Sequence, residues 1–127
     1  SWSNVPEGTK SFAITMYDPD APTGSGWWHW VVFDIPADVH ELATGAGQVD
    51  LKLMAAKAIQ SINNYGFNGY GGPCPPEGHG LHQYVITVHA LKADTLGLDA
   101  NTNPEVVGYN LWNNTIEKAS IVAYYSR

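Results

Sequence analysis

The pattern of apolar and polar side chains predicts a chain built mainly of β-strands. Residues 11–17 alternate with a period of two, with Phe12, Ile14 and Met16 on one face, as in a strand. Residues 27–35 are apolar at nearly every position, which is typical of a central strand that is covered on both faces. Residues 81–91 alternate again, and residues 119–126 are expected to close the chain as a last strand.

Two segments favour a helix. Asn103 is a candidate N-cap, Pro104 suits the first helical position, and Glu105 places an acid in the first turn. We therefore expect a helix from here to about Lys118. By propensity, residues 49–59 also favour a short helix.

Residues 63–80 are too rich in glycine and proline to form a regular element. A loop of this length inside a compact domain is typically functional. Its tyrosines and Phe67 favour an ordered, packed loop.

Composition and charge narrow the function. The 127 residues fit one domain and carry a formal net charge of −6. Because no basic stripe is present to neutralise phosphates, binding of nucleic acid is excluded. The sequence has no apolar run long enough to span a membrane. Arg127 is the sole arginine, so a bound anion would be held by histidines, backbone N–H groups or hydroxyls.

The polar candidates collect at strand ends and in the long loop. Asp18 and Asp20 follow the first strand in a proline-stiffened stretch, which is either a positioned pair or two solvated acids. His29 lies inside the most apolar strand, where a packed histidine bonded to a backbone carbonyl is the alternative. His82 and Tyr84 share one face of their strand, because side chains alternate with a period of two.

These residue types favour an anion pocket. A carboxylate beside an imidazole raises the pKa of the imidazole and fixes its tautomer, which gives a cationic donor near neutral pH. Backbone N–H groups around Gly71 and Gly72 would add donors without formal charge. We therefore expect phosphate binding to weaken above neutral pH, as the histidines lose their protons.

Two carboxylates and two histidines also suit a hydrolase or a divalent metal site, which is the alternative function. Against catalysis, no serine or cysteine lies in a recognisable nucleophile motif, and no metal-binding histidine spacing is present. Cys74, between prolines, suits packing. The sequence therefore favours a protein that is not an enzyme and that has no catalytic residues, metal or cofactor.

Three stretches resemble the signature regions of the phosphatidylethanolamine-binding protein (PEBP) family: residues 18–22, 27–30 and 75–84. Residues 21–30 are similar to its bacterial branch, the YbhB/YbcL-type or Raf-kinase-inhibitor-like proteins. The resemblance implies a mostly β fold, a β-sandwich with a large central sheet and one or two short helices near the C-terminus. It also implies that residues 1–127 form a single domain that lacks its N-terminal strands, and that Cys74 has a disulfide partner in that segment.

The resemblance further implies a small anion pocket for phosphate-bearing ligands, namely phospholipid head groups, nucleotides or phosphorylated residues. The ligand-binding residues it implies are Asp18, Asp20, Pro22, His29, Gly72, Pro76, His82 and Tyr84. The expected partners are a protein kinase or protease and a second copy of the chain in a homodimer. The sequence does not decide between a cytoplasmic and a periplasmic localisation. Two departures are Asn64, where relatives carry an aspartate, and Gln83, where the family usually has an arginine; the latter predicts one cation fewer at the pocket rim.

Overall fold

In this computed structural model, residues 1–42, 47 and 57–127 are described. They form β1 (Ser11–Asp18), β2 (Trp27–Pro36), β3 (Ile59–Gln60), β4 (His82–Leu91), α1 (Pro104–Asn114) and β5 (Thr115–Tyr125). The strands build one antiparallel sheet in the order β3-β2-β1-β4-β5. The predicted mostly β fold, with a large central sheet and a short helix near the C-terminus, is confirmed.

The sheet has a packed core on each face. β1 is the middle strand, and its alternation sends Phe12 to one core and Ala13 to the other. The adjacent residues Val31 and Val32 of β2 are both fully buried although they face opposite ways. This confirms that residues 27–35 form a strand covered on both sides, as their continuous apolar character predicted.

Helix α1 begins as expected and ends early. The Asn103 side chain accepts a hydrogen bond from the N–H of Val106 at 3.0 Å, which caps the first turn. The predicted end at Lys118 is wrong, because residues 115–118 belong to β5 and Lys118 pairs with His89 of β4. Cross-strand pairing outweighs helix propensity here. The described part of the chain contains no helix long and apolar enough to cross a membrane.

The second predicted helix falls mostly outside the described residues. Within residues 49–59, the structure describes 57–59, and Ile59 begins the short edge strand β3. At the opposite edge of the sheet, ten of the eleven residues of β5 are exposed. The strand is therefore held mainly by its pairing with β4.

The glycine-rich loop is ordered around one buried side chain. Asn63 is 1% exposed, and its Oδ1 accepts the N–H of Tyr65 at 2.9 Å. Its Nδ2 donates to the carbonyl oxygen of Gly69 at 2.9 Å. A buried amide with several partners holds a loop in place of regular backbone pairing. The loop thereby places Tyr65 and Gly71 against the start of β2.

Candidate functional site

A small cavity lies at one end of the central strands, where β1 ends and β2 and β4 begin. Because these three strands are antiparallel neighbours, the end of β1 and the starts of β2 and β4 meet at the same end of the sheet. The cavity has a volume of about 180 Å³. Its lining comprises Asp18, Ala21, Pro22, Thr23, Trp27, His29, Tyr65, Cys74, Pro75, Pro76, His82 and Tyr84.

The structure brings together six of the eight residues that the sequence proposed as ligand-binding. These are Asp18, Pro22, His29, Pro76, His82 and Tyr84. The other two, Asp20 and Gly72, are exposed and do not line the cavity. The Asp20 carboxylate accepts the N–H of Gln83 at 2.8 Å, and the Gly72 carbonyl accepts the hydroxyl of Tyr65 at 3.0 Å. Asp20 and Gly72 therefore support neighbouring residues of the site.

Gln83 does not line the cavity. It is exposed between the buried residues His82 and Tyr84, so its side chain lies on the opposite face of β4. Glutamine therefore contributes nothing to the lining itself, and the expectation of one cation fewer at the pocket rim stays a prediction.

Asp18 and His82 form a buried pair, each 2% exposed. His82 Nδ1–H donates to Asp18 Oδ2 at 2.7 Å, and Asp18 Oδ1 accepts the N–H of Asp20 at 2.8 Å. On its other side, His82 Nε2 lies 2.5 Å from Nδ1 of the exposed His79, and one proton lies between these two nitrogens. Both ring nitrogens of His82 are thus occupied within the protein.

His29 is held in one tautomer. A carbonyl oxygen accepts and does not donate, so the 2.9 Å contact with Gly71 places a proton on His29 Nδ1. Burial lowers the pKa of His29, and this effect outweighs the opposing effects of the Gly71 carbonyl and the Asp18 charge. For His29, burial therefore disfavours the cationic form that was expected of His29 or His82, and the proton on Nδ1 leaves a lone pair on Nε2 of His29 when its ring is neutral.

Two donors of the cavity wall have no hydrogen-bond partner among the described residues. They are the Tyr84 hydroxyl and the Trp27 Nε1–H, and both atoms are buried. Burial, together with the nearby charge of Asp18, raises the pKa of Tyr84 to about 12, so the hydroxyl keeps its proton. The wall therefore offers two donors that lack an acceptor.

Sequence reasoning missed Trp27, Tyr65 and Cys74. Trp27 was predictable in principle, since a β1–β2 hairpin sets it opposite Asp18, and the two residues are partners in the register. Tyr65 packs edge-to-face on His29 and on Trp27, with ring centroids 5.5 Å and 5.4 Å apart. No local pattern places Tyr65 there, because the placement depends on how the loop folds around Asn63. Cys74 is an exposed free thiol, so the expectation that it is packed is wrong.

Comparison with known proteins identifies the family. The family model described as phosphatidylethanolamine-binding protein matches residues 1–126. The chain belongs to the PEBP family. Family membership is consistent with a binding protein, and it confirms the resemblance carried by the two aspartates, the Trp–His stretch and the segment before Tyr84.

Two relatives of this PEBP-family chain are the Escherichia coli K12 proteins YbcL and YbhB, both described as UPF0098 proteins. YbcL is 50% identical over 125 residues, which cover 98% of this chain and 68% of YbcL. YbhB is 45% identical over 126 residues, which cover 99% of this chain and 78% of YbhB.

Two solved structures share the PEBP fold of this chain. The crystal structure of E. coli YbcL, described as a new member of the mammalian PEBP family, superposes with a TM-score of 0.98 at 50% identity. The match covers 100% of this chain and 77% of the YbcL chain. A putative PEBP homologue from Chlamydia trachomatis, CT736, gives a TM-score of 0.80 at 28% identity, covering 100% of this chain and 78% of that one.

Proposed function

We propose that this protein is a non-enzymatic binding protein whose cavity takes the phosphate group of a phosphate-bearing ligand. The observation that carries the proposal is the pair of buried donors, Tyr84 O–H and Trp27 Nε1–H, in the wall of one cavity. An indole N–H can only donate, so its partner must be an acceptor. A buried donor without a partner costs about 1–3 kcal/mol, which a ligand oxygen would recover.

The size of the cavity supports a small group rather than a whole organic molecule. Its volume is about 180 Å³. Sites for drug-sized ligands span roughly 300–1,000 Å³, so this cavity suits a head group whose remainder stays outside. A phospholipid head group, a nucleotide phosphate and a phosphorylated side chain all meet that requirement.

The charge of Asp18 bears on anion binding. Each oxygen of its carboxylate accepts one hydrogen bond from within the protein, which offsets part of the repulsion between this charge and a bound anion. The weakening of phosphate binding above neutral pH stays a prediction.

The same wall supports binding over hydrolysis. Cys74 lines the cavity beside two imidazoles, but among the described residues no hydrogen bond joins its thiol to His29 or His82. His82 has both nitrogens engaged, so it is not available as a base for a nucleophile. We expect no turnover of p-nitrophenyl phosphate or p-nitrophenyl acetate. Turnover that disappears in Cys74→Ser would overturn this. Modulation of a kinase or protease and a homodimer stay predictions.

Isothermal titration calorimetry with inorganic phosphate tests the binding proposal. Tyr84→Phe keeps the ring, Trp27→Phe replaces the indole by a smaller aromatic ring, and each removes one donor, so we expect each to weaken affinity roughly tenfold. Trp2→Phe is the matched control. Trp2 also has a buried Nε1 without a partner in the described chain, but its ring packs on Phe12, away from the cavity. Absence of phosphate binding by the wild type, or equal losses in all three variants, would contradict the proposal.

A further inference from the structure

The sole arginine of the chain lies beside the wall of the cavity. Arg127 Nε–H donates to the carbonyl oxygen of Pro75 at 2.7 Å, and Pro75 lines the cavity. The backbone carbonyl of Arg127 accepts the N–H of Gly78 at 3.0 Å. One side-chain bond and one backbone bond therefore attach Arg127 to the segment that forms this wall.

The guanidinium keeps most of its binding capacity. It carries five N–H donors, and the bond to Pro75 uses one of them. Within residues 1–42, 47 and 57–127, the one ion pair is His82–Asp18, so no carboxylate there neutralises Arg127. Arg127 is exposed. Arg127 does not itself line the cavity, but its guanidinium is one hydrogen bond away from Pro75 of the wall, and a guanidinium with free N–H groups is chemically suited to binding phosphate oxygens in pairs.

We propose that Arg127 is a specificity-determining residue of the phosphate cavity and makes it select phosphate monoesters. The inference rests on the proposed function. One terminal oxygen of the ligand meets the buried donors of Tyr84 and Trp27, and two more meet the Arg127 fork at the rim. A monoester has three terminal oxygens and a second negative charge near neutral pH, whereas a diester has two terminal oxygens and one charge. The site therefore favours the monoester.

The test compares methyl phosphate with dimethyl phosphate by calorimetry in wild type, Arg127→Gln, Arg127→Lys and Lys118→Gln. Lys118 is the matched control, because it is another cation close to the end of the chain but pairs with His89, on a different part of β4. We expect Arg127→Gln to weaken binding of methyl phosphate about tenfold, to lose the preference over dimethyl phosphate and to reduce the salt dependence. Lys118→Gln should change none of these.

Arg127→Lys separates the charge from the structural ties. If Arg127 acts through its charge, lysine restores part of the affinity that glutamine loses; if it merely holds the wall in place, both variants bind equally weakly, which overturns the inference. Equal losses in Arg127→Gln and Lys118→Gln would also overturn it, as a general charge effect.

Failure of the inference is distinguishable from failure of the proposed function. A wild type that binds neither ester contradicts the proposed function itself. A wild type that binds methyl phosphate, with Arg127→Gln binding equally well, contradicts the role of Arg127 alone. Phosphoserine and adenosine monophosphate then compare the two sources of a monoester; affinities no better than that of dimethyl phosphate for both would overturn the selectivity.

Discussion

His29 and Gly71 bind each other through two hydrogen bonds. The N–H of Gly71 donates to the carbonyl oxygen of His29 at 2.9 Å, and His29 Nδ1–H donates back to the Gly71 carbonyl at 2.9 Å. This reciprocal contact attaches the long loop to β2 and fixes which nitrogen of His29 faces away from the loop. Substitutions at Gly71, which makes this contact, and at its neighbour Gly72 therefore test how closely the loop packs against the cavity.

We expect Gly71→Ala to damage the cavity and Gly72→Ala to leave it intact. A Cβ on Gly71 would overlap the ring of Tyr65, which lines the cavity, whereas a Cβ on Gly72 meets just the ring of Tyr70 at 4.0 Å. Overpacking of this kind costs about 1–3 kcal/mol. Urea denaturation and phosphate calorimetry should show losses for Gly71→Ala alone. Equal behaviour of the two variants would refute the close contact.

Asp18→Asn should be destabilising. The substitution removes the charge that accepts His82 Nδ1–H in a buried site, and a hydrogen bond to a charged group contributes about 1.5–3 kcal/mol to stability. Asp20→Asn is the control, since the exposed Asp20 accepts a single backbone N–H and should cost about 1 kcal/mol. The free energy of unfolding in urea checks both values. A loss in Asp20→Asn as large as that in Asp18→Asn would contradict the assigned role of the pair.

Stability should fall in mild acid because of His89. Burial, aided by the nearby charge of Lys118, lowers the pKa of His89 to about 4 from its usual value of 6.5. Between these two values the imidazole of His89 is protonated in the unfolded chain but not in the folded chain. The free energy of unfolding is therefore unaffected by His89 above about pH 6.5 and declines as the pH falls towards 4. The difference amounts to roughly 3 kcal/mol.

Denaturation measured from pH 7.5 to 4 checks the role of His89. His89→Gln should flatten the decline, while His40→Gln, at an exposed histidine, should leave it unchanged. A decline of the same steepness in His89→Gln would assign the acid sensitivity to other groups.

His79→Ala should weaken phosphate binding a few-fold. His82 Nδ1–H donates to Asp18, so a neutral His82 without His79 presents the lone pair of Nε2 in the wall of the cavity, and that lone pair repels a phosphate oxygen. Nitrogen chemical shifts of His82 should report the loss of the contact directly, with His40→Ala as the control. Stronger phosphate binding would show instead that His79 blocks access of the ligand to His82.

The elements and the position of the site followed from local patterns, whereas the chemistry of the site did not. The alternation in β1 and β4, together with the end of β1 at Asp18, was enough to predict that Asp18, His82 and Tyr84 lie at one end of the sheet. The tautomer of His29 depends on the carbonyl of Gly71, 42 residues away, and its lowered pKa depends on burial, and no local pattern encodes either. The early end of α1 has a similar cause, since pairing with β4 claims residues 115–118.

The position of Gln83 has a consequence for how this protein can diversify. On β4, the side chains of residues 82 and 84 line the cavity, and the side chain of residue 83 between them is exposed on the opposite face of the strand. The backbone N–H of Gln83, not its side chain, donates to the Asp20 carboxylate. Residue 83 can therefore be substituted without loss of this hydrogen bond. The exposed surface at residue 83 and the cavity lining at residues 82 and 84 can therefore be changed independently within three consecutive residues.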